Sequence, residues 1–299
     1  MAGDQAARKH GEHMATVAQA FQAFLARLEL TDKELAEAKR QQEVVRESLR
    51  RHLGGVTRDI LVGSYARRTA VRPLKDIDIF MQLDPTMHGA WRRQPPEQLL
   101  RTVNAALTAA YPGHNPRIQG RSVNIEFAGT EIGYDIVPAF ESAPSVFEIP
   151  DRSRKQWIRT NPEIHRTMCV NANNRAGGKL NGLIKALKRW NMNTGKPLRS
   201  FHLEVMTYDA FSVAPTDHAT GAWILFGVLS RRINSYCHDP AGVGPAIDDD
   251  LPSQSRQLAS QRLADAERRA GEAVRAERAG DHNLAIRTWS ALFGPEFRV

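Results

Sequence analysis

Residues Ile60 to Asp84 have the sequence ILVGSYARRTAVRPLKDIDIFMQLD. The apolar run that ends at Val62 predicts a short buried strand. Gly63-Ser64 predicts a tight turn after it, because a residue without a Cβ lets the backbone approach a ligand. Ser64 is expected to cap a short helix from Tyr65 to Thr69, whose free N–H groups suit a phosphate. This segment therefore predicts a strand followed by a phosphate-binding turn.

A second strand is predicted from Asp76 to Leu83. Because Asp76 and Asp78 are two residues apart, both carboxylates leave the same face of this strand, and the isoleucines between and after them face the core. Two carboxylates on one strand face repel each other unless a positive charge lies between them. Hard divalent cations, which prefer carboxylate and phosphate oxygens, satisfy this need.

Asp135 is the third acidic residue of the predicted site. It is the one charged residue in the apolar segment from Ile132 to Pro138, and buried charges are rare without a partner or a metal. We therefore predict that Asp76, Asp78 and Asp135 form a catalytic, metal-binding triad beside Gly63-Ser64.

The composition is that of a folded protein. The chain has 299 residues, a formal net charge of +8 and two cysteines, Cys169 and Cys237. The basic charge is compatible with polyphosphate ligands or nucleic acid. No disulfide framework, apolar run of membrane-spanning length or signal peptide is evident, so we expect a cytoplasmic protein.

The order of predicted elements indicates an α+β protein. Two helices, residues 14–30 and 31–53, are expected to brace the catalytic strands, and a third follows over residues 96–111. Paired strands are predicted at residues 122–127 and 131–139, joined by Ala128-Gly129-Thr130. Beyond Pro162 the patterns are helical. We therefore predict a mixed-sheet catalytic lobe over residues 1–160 and a helical lobe over residues 161–299 that closes a nucleotide cleft.

Several side chains outside the triad are predicted to be structural. His165 and His202 are expected to pack or form hydrogen bonds, and the run Asp248-Asp249-Asp250 is expected to be exposed. Ser200 is expected to cap a helix that continues to Val213. The helix from Gly178 to Asn193 carries an apolar stripe, with Lys185 and Lys188 on one side of it.

The spacing Gly63-Ser64, Asp76-x-Asp78 and Asp135 resembles that of the DNA polymerase β-type nucleotidyltransferase superfamily. The ending Ala-Glu-x-x-Gly-Asp … Trp-x-x-Leu-Phe-Gly-x-x-Phe is similar to that of the cGAS/DncV-like nucleotidyltransferases (CD-NTases), which make cyclic oligonucleotides in CBASS anti-phage defence. The resemblance covers nearly the whole chain and implies a polymerase β-like lobe.

The resemblance implies an enzyme that uses ATP- or GTP-type nucleoside triphosphates with two Mg²⁺ ions, or Mn²⁺ in their place. Gly63 and Ser64 would hold the donor triphosphate. Lys188, with Lys185 as the alternative, and Ser200 would grip its β- and γ-phosphates. The product would be a cyclic di- or trinucleotide second messenger. Some relatives have a HORMA-type regulatory partner, and RNA or DNA binding is compatible with the sequence but not required.

Two other interpretations stay open at this point. A template-independent RNA-tailing enzyme, or one that forms linear oligoadenylate, would use the same triad, with the basic residues 152–199 as an RNA path. A non-catalytic nucleotide- or RNA-binding module would retain the fold without turnover. The C-terminal ending and the intact triad favour the cyclic oligonucleotide synthase.

Overall fold

The computed structural model describes residues 15–127, 129 and 132–299. The joint predicted at residues 128–130 therefore lies largely outside the described residues. The strands are β1 (Val56–Val62), β2 (Asp76–Leu83), β3 (Arg117–Ile118), β4 (Val123–Phe127), β5 (Ile132–Ala143), β6 (Val146–Asp151) and β7 (Gln156–Thr160). The helices that precede β7 are α1 (Val17–Leu28), α2 (Asp32–Leu53), α3 (Gly63–Ala66), α4 (Pro85–His88) and α5 (Pro96–Ala110). The helices that follow are α6 (Pro162–Arg175), α7 (Leu180–Asn193), α8 (Ser200–Val205), α9 (His218–Arg232), α10 (Ser253–Arg278) and α11 (His282–Phe293).

The strands form one mixed sheet in the order β1-β2-β5-β4-β3. Strands β2 and β5 are parallel, and their neighbours pair with them in antiparallel orientation. The second half of β5 extends beyond this sheet and pairs with β6, which forms a hairpin with β7. The predicted α+β architecture is confirmed, and β1 begins three residues earlier than expected.

The sheet is covered on one face by α2 and α5. Ile77 and Ile79 of β2 are fully buried, together with Val45 and Leu49 of α2 and Leu100 of α5. Helix α2 begins with a capping box at Thr31, whose hydroxyl accepts a hydrogen bond from the Glu34 N–H at 3.2 Å. The alternation of apolar and acidic residues in β2 thus directs one side of the strand to this core and the other to solvent.

The remaining helices enclose a second hydrophobic core, and α1 belongs to it. Phe21 of α1 lies with its ring centroid 5.1 Å from that of Trp289 and 4.9 Å from that of Phe297. Phe24 contacts Phe293 of α11 at 5.0 Å. The prediction that both N-terminal helices brace the catalytic strands is therefore right for α2 and wrong for α1, which packs into the helical lobe.

The helical lobe begins directly after the sheet. Strand β7 ends at Thr160, and Asn161 caps α6 by accepting a hydrogen bond from the Ile164 N–H. Cys169 and Cys237 form no disulfide with each other. Among the helices of the described ranges, none has the length and apolar content that a membrane crossing requires.

Candidate active site

The parallel pairing of β2 with β5 brings the predicted acids together. Asp78 lies directly opposite Asp135, and Asp76 lies opposite Gly133, two residues earlier on β5. The same register continues into β4, where Asn124 lies opposite Asp135. Three neighbouring strands thus place Asp78, Asp135 and Asn124 in one row across the sheet. Asp76 lies beside this row, two residues before Asp78 on β2.

The three carboxyl groups influence one another electrostatically. Burial is the main cause that raises the pKa of Asp135 to about 6; repulsion from Asp78 and Asp76 adds to it, and the hydrogen bond from Asn124 opposes it. Burial also raises the pKa of Asp78 and of Asp76. Groups whose negative charges repel in a partly buried site are stabilised by a bound cation.

Asn124 was not found by sequence reasoning. Its side chain is buried, and its Nδ2 donates a hydrogen bond to Asp135 Oδ1 at 3.0 Å. This contact fixes the orientation of the Asp135 carboxylate. The two predicted strands were expected to pair, but counting back from the predicted joint at residues 128–130 places Asn124 opposite Tyr134, one residue away from the observed register. Because a shift of one residue exchanges the two faces of a strand, the sequence did not reveal this contact.

Gly63 begins the turn that follows β1, and its backbone has φ +68°. A Cβ at this position would overlap the carboxylate of Asp78. Glycine is therefore required here both for the left-handed backbone and for the space that Asp78 occupies.

Ser64 does not cap the helix after the turn. It lies inside the single-turn helix α3, which begins at Gly63 and has no side-chain cap. Its carbonyl oxygen accepts hydrogen bonds from the N–H groups of Thr69 and Ala70, at 2.9 and 3.1 Å. The turn is thus closed by backbone bonds, and the predicted capping role of the Ser64 hydroxyl is wrong.

A cleft of about 580 Å³ lies between the sheet and the helical lobe. Its volume is within the range of sites for small organic ligands. Six of the predicted site residues line it: Gly63, Ser64, Asp78, Asp135, Lys188 and Ser200. Asp76 is exposed at the edge of the row and is not one of the described residues that line the cleft.

Lys188 lies beneath the cleft in a buried group of charges. Its Nζ donates hydrogen bonds to the carbonyl oxygen of Thr69 at 2.9 Å and to Glu204 Oε2 at 2.9 Å. Arg67, which also lines the cleft, donates from Nε to Glu204 Oε1 at 2.5 Å. The guanidinium of Arg67 also lies over the ring of Phe201, 4.7 Å from its centroid. Neither Arg67 nor Glu204 was singled out from the sequence.

Lys185 lies elsewhere. It is one helical turn before Lys188 on α7, but its Nζ contacts Glu29 Oε2 at 2.5 Å, next to the C-terminal end of α1, and it is not among the described residues that line the cleft. The structure therefore does not bring Lys185 together with the other predicted phosphate-binding residues. The position of α1, which the sequence did not predict, is the reason.

The helix at Ser200 differs from the expectation. Ser200 is the first residue of α8 rather than its cap, and the helix ends at Val205 instead of continuing to Val213. The side chain of Ser200 makes no capping hydrogen bond, while the residue lines the cleft beside Arg199.

The aspartate run after α9 is not simply exposed. Asp248 is buried and accepts hydrogen bonds from the Cys237 N–H and from Arg256. Asp249 pairs with Arg154 of the β6–β7 turn, and Asp250 pairs with Arg199. All four of these paired residues line the cleft. The expectation that this run is exposed is therefore wrong for Asp248 and right for Asp249 and Asp250, which lie at the mouth of the cleft.

The two histidines behave as expected. His165 contacts Asp239 Oδ1 through Nε2 at 2.6 Å, and His202 is buried. Burial also lowers the pKa of His202.

The residues of the row fit a divalent cation by their chemistry. Carboxylate oxygens are the ligands that Mg²⁺ and Mn²⁺ prefer, and the mutual repulsion of Asp76, Asp78 and Asp135 favours a bound positive charge. Among the residues that the structure describes, no three His, Cys, Asp or Glu side chains already converge on a common metal position.

Comparison with known proteins defines the class first. Solved structures with this fold include Escherichia coli CdnC with ATP, at a TM-score of 0.74 and 18% identity over 94% of this chain and 99% of that one. They also include Vibrio cholerae DncV with the linear intermediate pppA(3′,5′)pG, at a TM-score of 0.74 and 15% identity over 95% of this chain and 97% of that one. The chain therefore has the fold of CdnC and DncV.

The sequence comparison then defines the family. Residues 14–173 match the model of the Second Messenger Oligonucleotide or Dinucleotide Synthetase domain. The chain belongs to this family, the cGAS/DncV-like CD-NTases, whose members are divalent-metal-dependent enzymes that make cyclic oligonucleotides.

Two relatives illustrate the range of similarity. A probable cyclic nucleotide synthase of Bacillus cereus is 25% identical over 79% of this chain and 80% of its own length. A cyclic AMP-AMP-AMP synthase of an Acinetobacter species is 30% identical over 49% of this chain and 43% of its own length. The family that the resemblance of the C-terminal ending indicated is confirmed.

Proposed function

We propose that the protein joins ATP- or GTP-type nucleoside triphosphates into a cyclic di- or trinucleotide that acts as a second messenger in CBASS anti-phage defence. The observation that carries this proposal is the pairing of Asp78 with Asp135 across two parallel strands, at the wall of a cleft that also contains the Gly63 turn. The family and the names of the relatives support the nature of the product.

Asp76, Asp78 and Asp135 are the residues that would hold two Mg²⁺ ions, with Mn²⁺ as a substitute. When bound, such ions neutralise the leaving pyrophosphate and make a ribose hydroxyl a better nucleophile. Asp135, which Asn124 holds in one orientation, would orient the acceptor hydroxyl and accept its proton.

The donor triphosphate would lie along the Gly63 turn. The backbone at Gly63 and Ser64 is close to Asp78, so phosphates bound there would lie next to the reacting carboxylates. Lys188 and Ser200 would contact the distal phosphates from the helical side of the cleft. We leave Lys185 out of this set because its ammonium group contacts Glu29 and, unlike Lys188, it is not among the described residues that line the cleft.

Closure of the ring would take place in the same cleft. The linear intermediate would turn so that its own 5′-triphosphate occupies the donor position and its free hydroxyl faces Asp135. The neighbouring structure of DncV with a linear intermediate supports this order of events. It requires no second active site.

The CBASS setting brings two further elements into the proposal. A HORMA-type protein is the proposed regulatory partner, on the ground that the similar CdnC has been solved in complex with one. The cytoplasm is the proposed compartment, where nucleoside triphosphates are available and Cys169 and Cys237 would stay reduced.

The experiment that tests the proposal incubates the purified protein with all four nucleoside triphosphates and Mg²⁺, in the absence of RNA, and analyses the products by mass spectrometry. We expect a cyclic product from the wild type and none from the double variant Asp76→Asn with Asp78→Asn. Asp84→Asn is the matched control, because Asp84 follows the same strand and caps α4, and asparagine caps equally well.

Three results would contradict the proposal. Equal product from the double variant would remove the carboxylates from the mechanism. Products that appear only when RNA is added would favour an RNA-tailing enzyme. Nucleotide binding without any turnover would favour a non-catalytic module.

A further inference from the structure

Glu204 is a fully buried carboxylate near the junction of the two lobes. It accepts hydrogen bonds from Arg67 Nε at 2.5 Å, Thr69 Oγ1 at 2.9 Å, Lys188 Nζ at 2.9 Å and the Tyr208 hydroxyl at 2.9 Å. Four donors therefore satisfy one carboxylate, and two of these donors are cations. This group does not belong to the row of acids described above.

The partners of Glu204 come from both lobes. Arg67 and Thr69 belong to the segment that follows the Gly63 turn, whereas Lys188 lies on α7 and Glu204 on α8. Glu204 also follows Ser200 by one helical turn, and Phe201 of the same helix supports the guanidinium of Arg67. One carboxylate thus links the proposed phosphate-binding turn to the helix that carries the proposed distal contacts.

The charges in this group influence one another. Glu204 offers one negative charge to Arg67 and Lys188, both of which line the cleft. Although burial alone would raise the pKa of Glu204, the charges of Lys188 and Arg67 lower it to about 2. Burial lowers the pKa of Lys188, and the charge of Glu204 opposes this effect. Two basic side chains thus share one carboxylate at the wall of the cleft, where an incoming triphosphate brings negative charge.

We propose that Glu204 is a positioning residue, which holds Arg67 and Lys188 in the orientation that receives the triphosphate of the nucleotide. Glu204 itself touches neither the substrate nor the reacting atoms, and it acts through these two cations. This inference rests on the proposed function, because the proposed function supplies the triphosphate that Arg67 and Lys188 would bind.

A purely structural role would have different consequences. Removing one partner from a buried ion cluster always lowers stability, because the remaining charges stay buried without compensation. A positioning role also changes the kinetics of the folded protein. Because the orientation of cations that bind phosphate affects substrate binding, the loss should appear mainly in KM for the nucleoside triphosphate.

The test compares Glu204→Gln with Asp59→Asn, both checked for folding by circular dichroism. Asp59 is the matched control, since it is a buried carboxylate paired with two arginines, Arg46 and Arg50, on the far side of the sheet lobe. We expect Glu204→Gln to raise KM for the nucleoside triphosphate about 10-fold or more. Asp59→Asn is expected to lower the melting temperature and leave KM unchanged.

A double-mutant cycle with Arg67→Gln tests whether Glu204 acts through Arg67. We expect the double variant to be little worse than Arg67→Gln alone, because the orienting residue has no effect once its target is absent. Additive losses in kcat/KM would overturn the proposal, and so would an unchanged KM in folded Glu204→Gln. If Glu204→Gln does not fold, Tyr208→Phe decides: it removes one donor to Glu204 and should raise KM several-fold, and an unchanged KM would overturn the proposal.

The wild type serves as the reference for the proposed function. If the wild-type protein neither consumes the triphosphates nor binds a non-hydrolysable ATP analogue, the proposed function fails. If the wild type is active and only the expected kinetic effects are missing, the inference about Glu204 fails and the proposed function stands.

Discussion

The carboxylate of Asp78 occupies the space in which a side chain at position 63 would lie. A methyl group there would displace the Asp78 carboxylate, and alanine also disfavours the positive φ of the turn. We predict that Gly63→Ala lowers turnover about 100-fold or more, because small displacements of reacting groups carry losses of that size. Steady-state product formation measures the effect.

Gly89→Ala is the control for this substitution. Gly89 has φ −58°, and a Cβ there would meet nothing closer than Pro85 at 4.0 Å. The variant should keep wild-type turnover. Normal activity in a folded Gly63→Ala would mean that the position of Asp78 does not matter for the reaction.

Glu204 also makes stability depend on pH. Its pKa in the folded protein is about 2, below its ordinary value of 4.5. The stabilisation is therefore complete above about pH 4.5 and disappears as the pH falls from there towards 2. We predict that the free energy of unfolding decreases by on the order of 3 kcal/mol over this interval from Glu204 alone, measured by urea unfolding at a series of pH values.

Other carboxyl groups act in the same direction, because Asp151, Asp239 and Asp248 also have lowered pKa values. The contribution of Glu204 is therefore the difference between the wild type and Glu204→Gln. The variant should show a shallower decrease between about pH 5 and 2. Parallel profiles for both proteins would contradict the prediction.

The positions that the sequence predicted correctly are those that depend on local periodicity. Asp76 and Asp78 share a face because successive residues of a strand alternate, and the structure places them so. Lys185 and Lys188 were grouped by the same kind of argument. They separate because their partners, Glu29 and Glu204, come from distant parts of the chain, and helical spacing carries no information about such partners.

At the level of elements, α1 stabilises the helical lobe rather than the sheet. Phe21 is buried against the aromatic rings of α11 and of the residues that follow it. We predict that Phe21→Ala lowers the free energy of unfolding by about 3 to 5 kcal/mol. In hydrogen-exchange mass spectrometry, amide protection should decrease in α9 to α11 and stay unchanged in β2 and β5.

Leu35→Ala on α2 is the control variant. Because Leu35 is 38% exposed, its replacement should change the free energy of unfolding little. An equal loss of protection in both lobes after Phe21→Ala would indicate that α1 supports the whole molecule.

The apolar spacing of α1 predicted a helix with one buried face. It could not predict which core that face joins, since both cores are apolar and the choice depends on the path of the chain.

Over the whole molecule, two ion pairs lie at the mouth of the cleft: Asp249–Arg154 joins the sheet lobe to the helical lobe, and Asp250–Arg199 lies within the helical lobe. Asp249 and Asp250 neutralise positive charge that would attract phosphates, that of Arg154, which also pairs with Asp151, and that of Arg199. We predict that Asp249→Asn with Asp250→Asn lowers KM for nucleoside triphosphates about two- to fivefold, the size expected for partly exposed pairs. Initial rates at a range of substrate concentrations measure this.

The matched control is Asp265→Asn with Glu272→Gln. It also removes two negative charges, but from the partners of Arg268 on α10, away from the cleft. Its KM should equal that of the wild type. An equal decrease in both double variants would show that overall charge, and not the ion pairs at the mouth, determines substrate affinity.

Strand β5 runs through both halves of the sheet: Asp135 lies in its first part, and its last residues pair with the hairpin that carries Arg154. The acid and one side of the cleft entrance are therefore joined through a single strand.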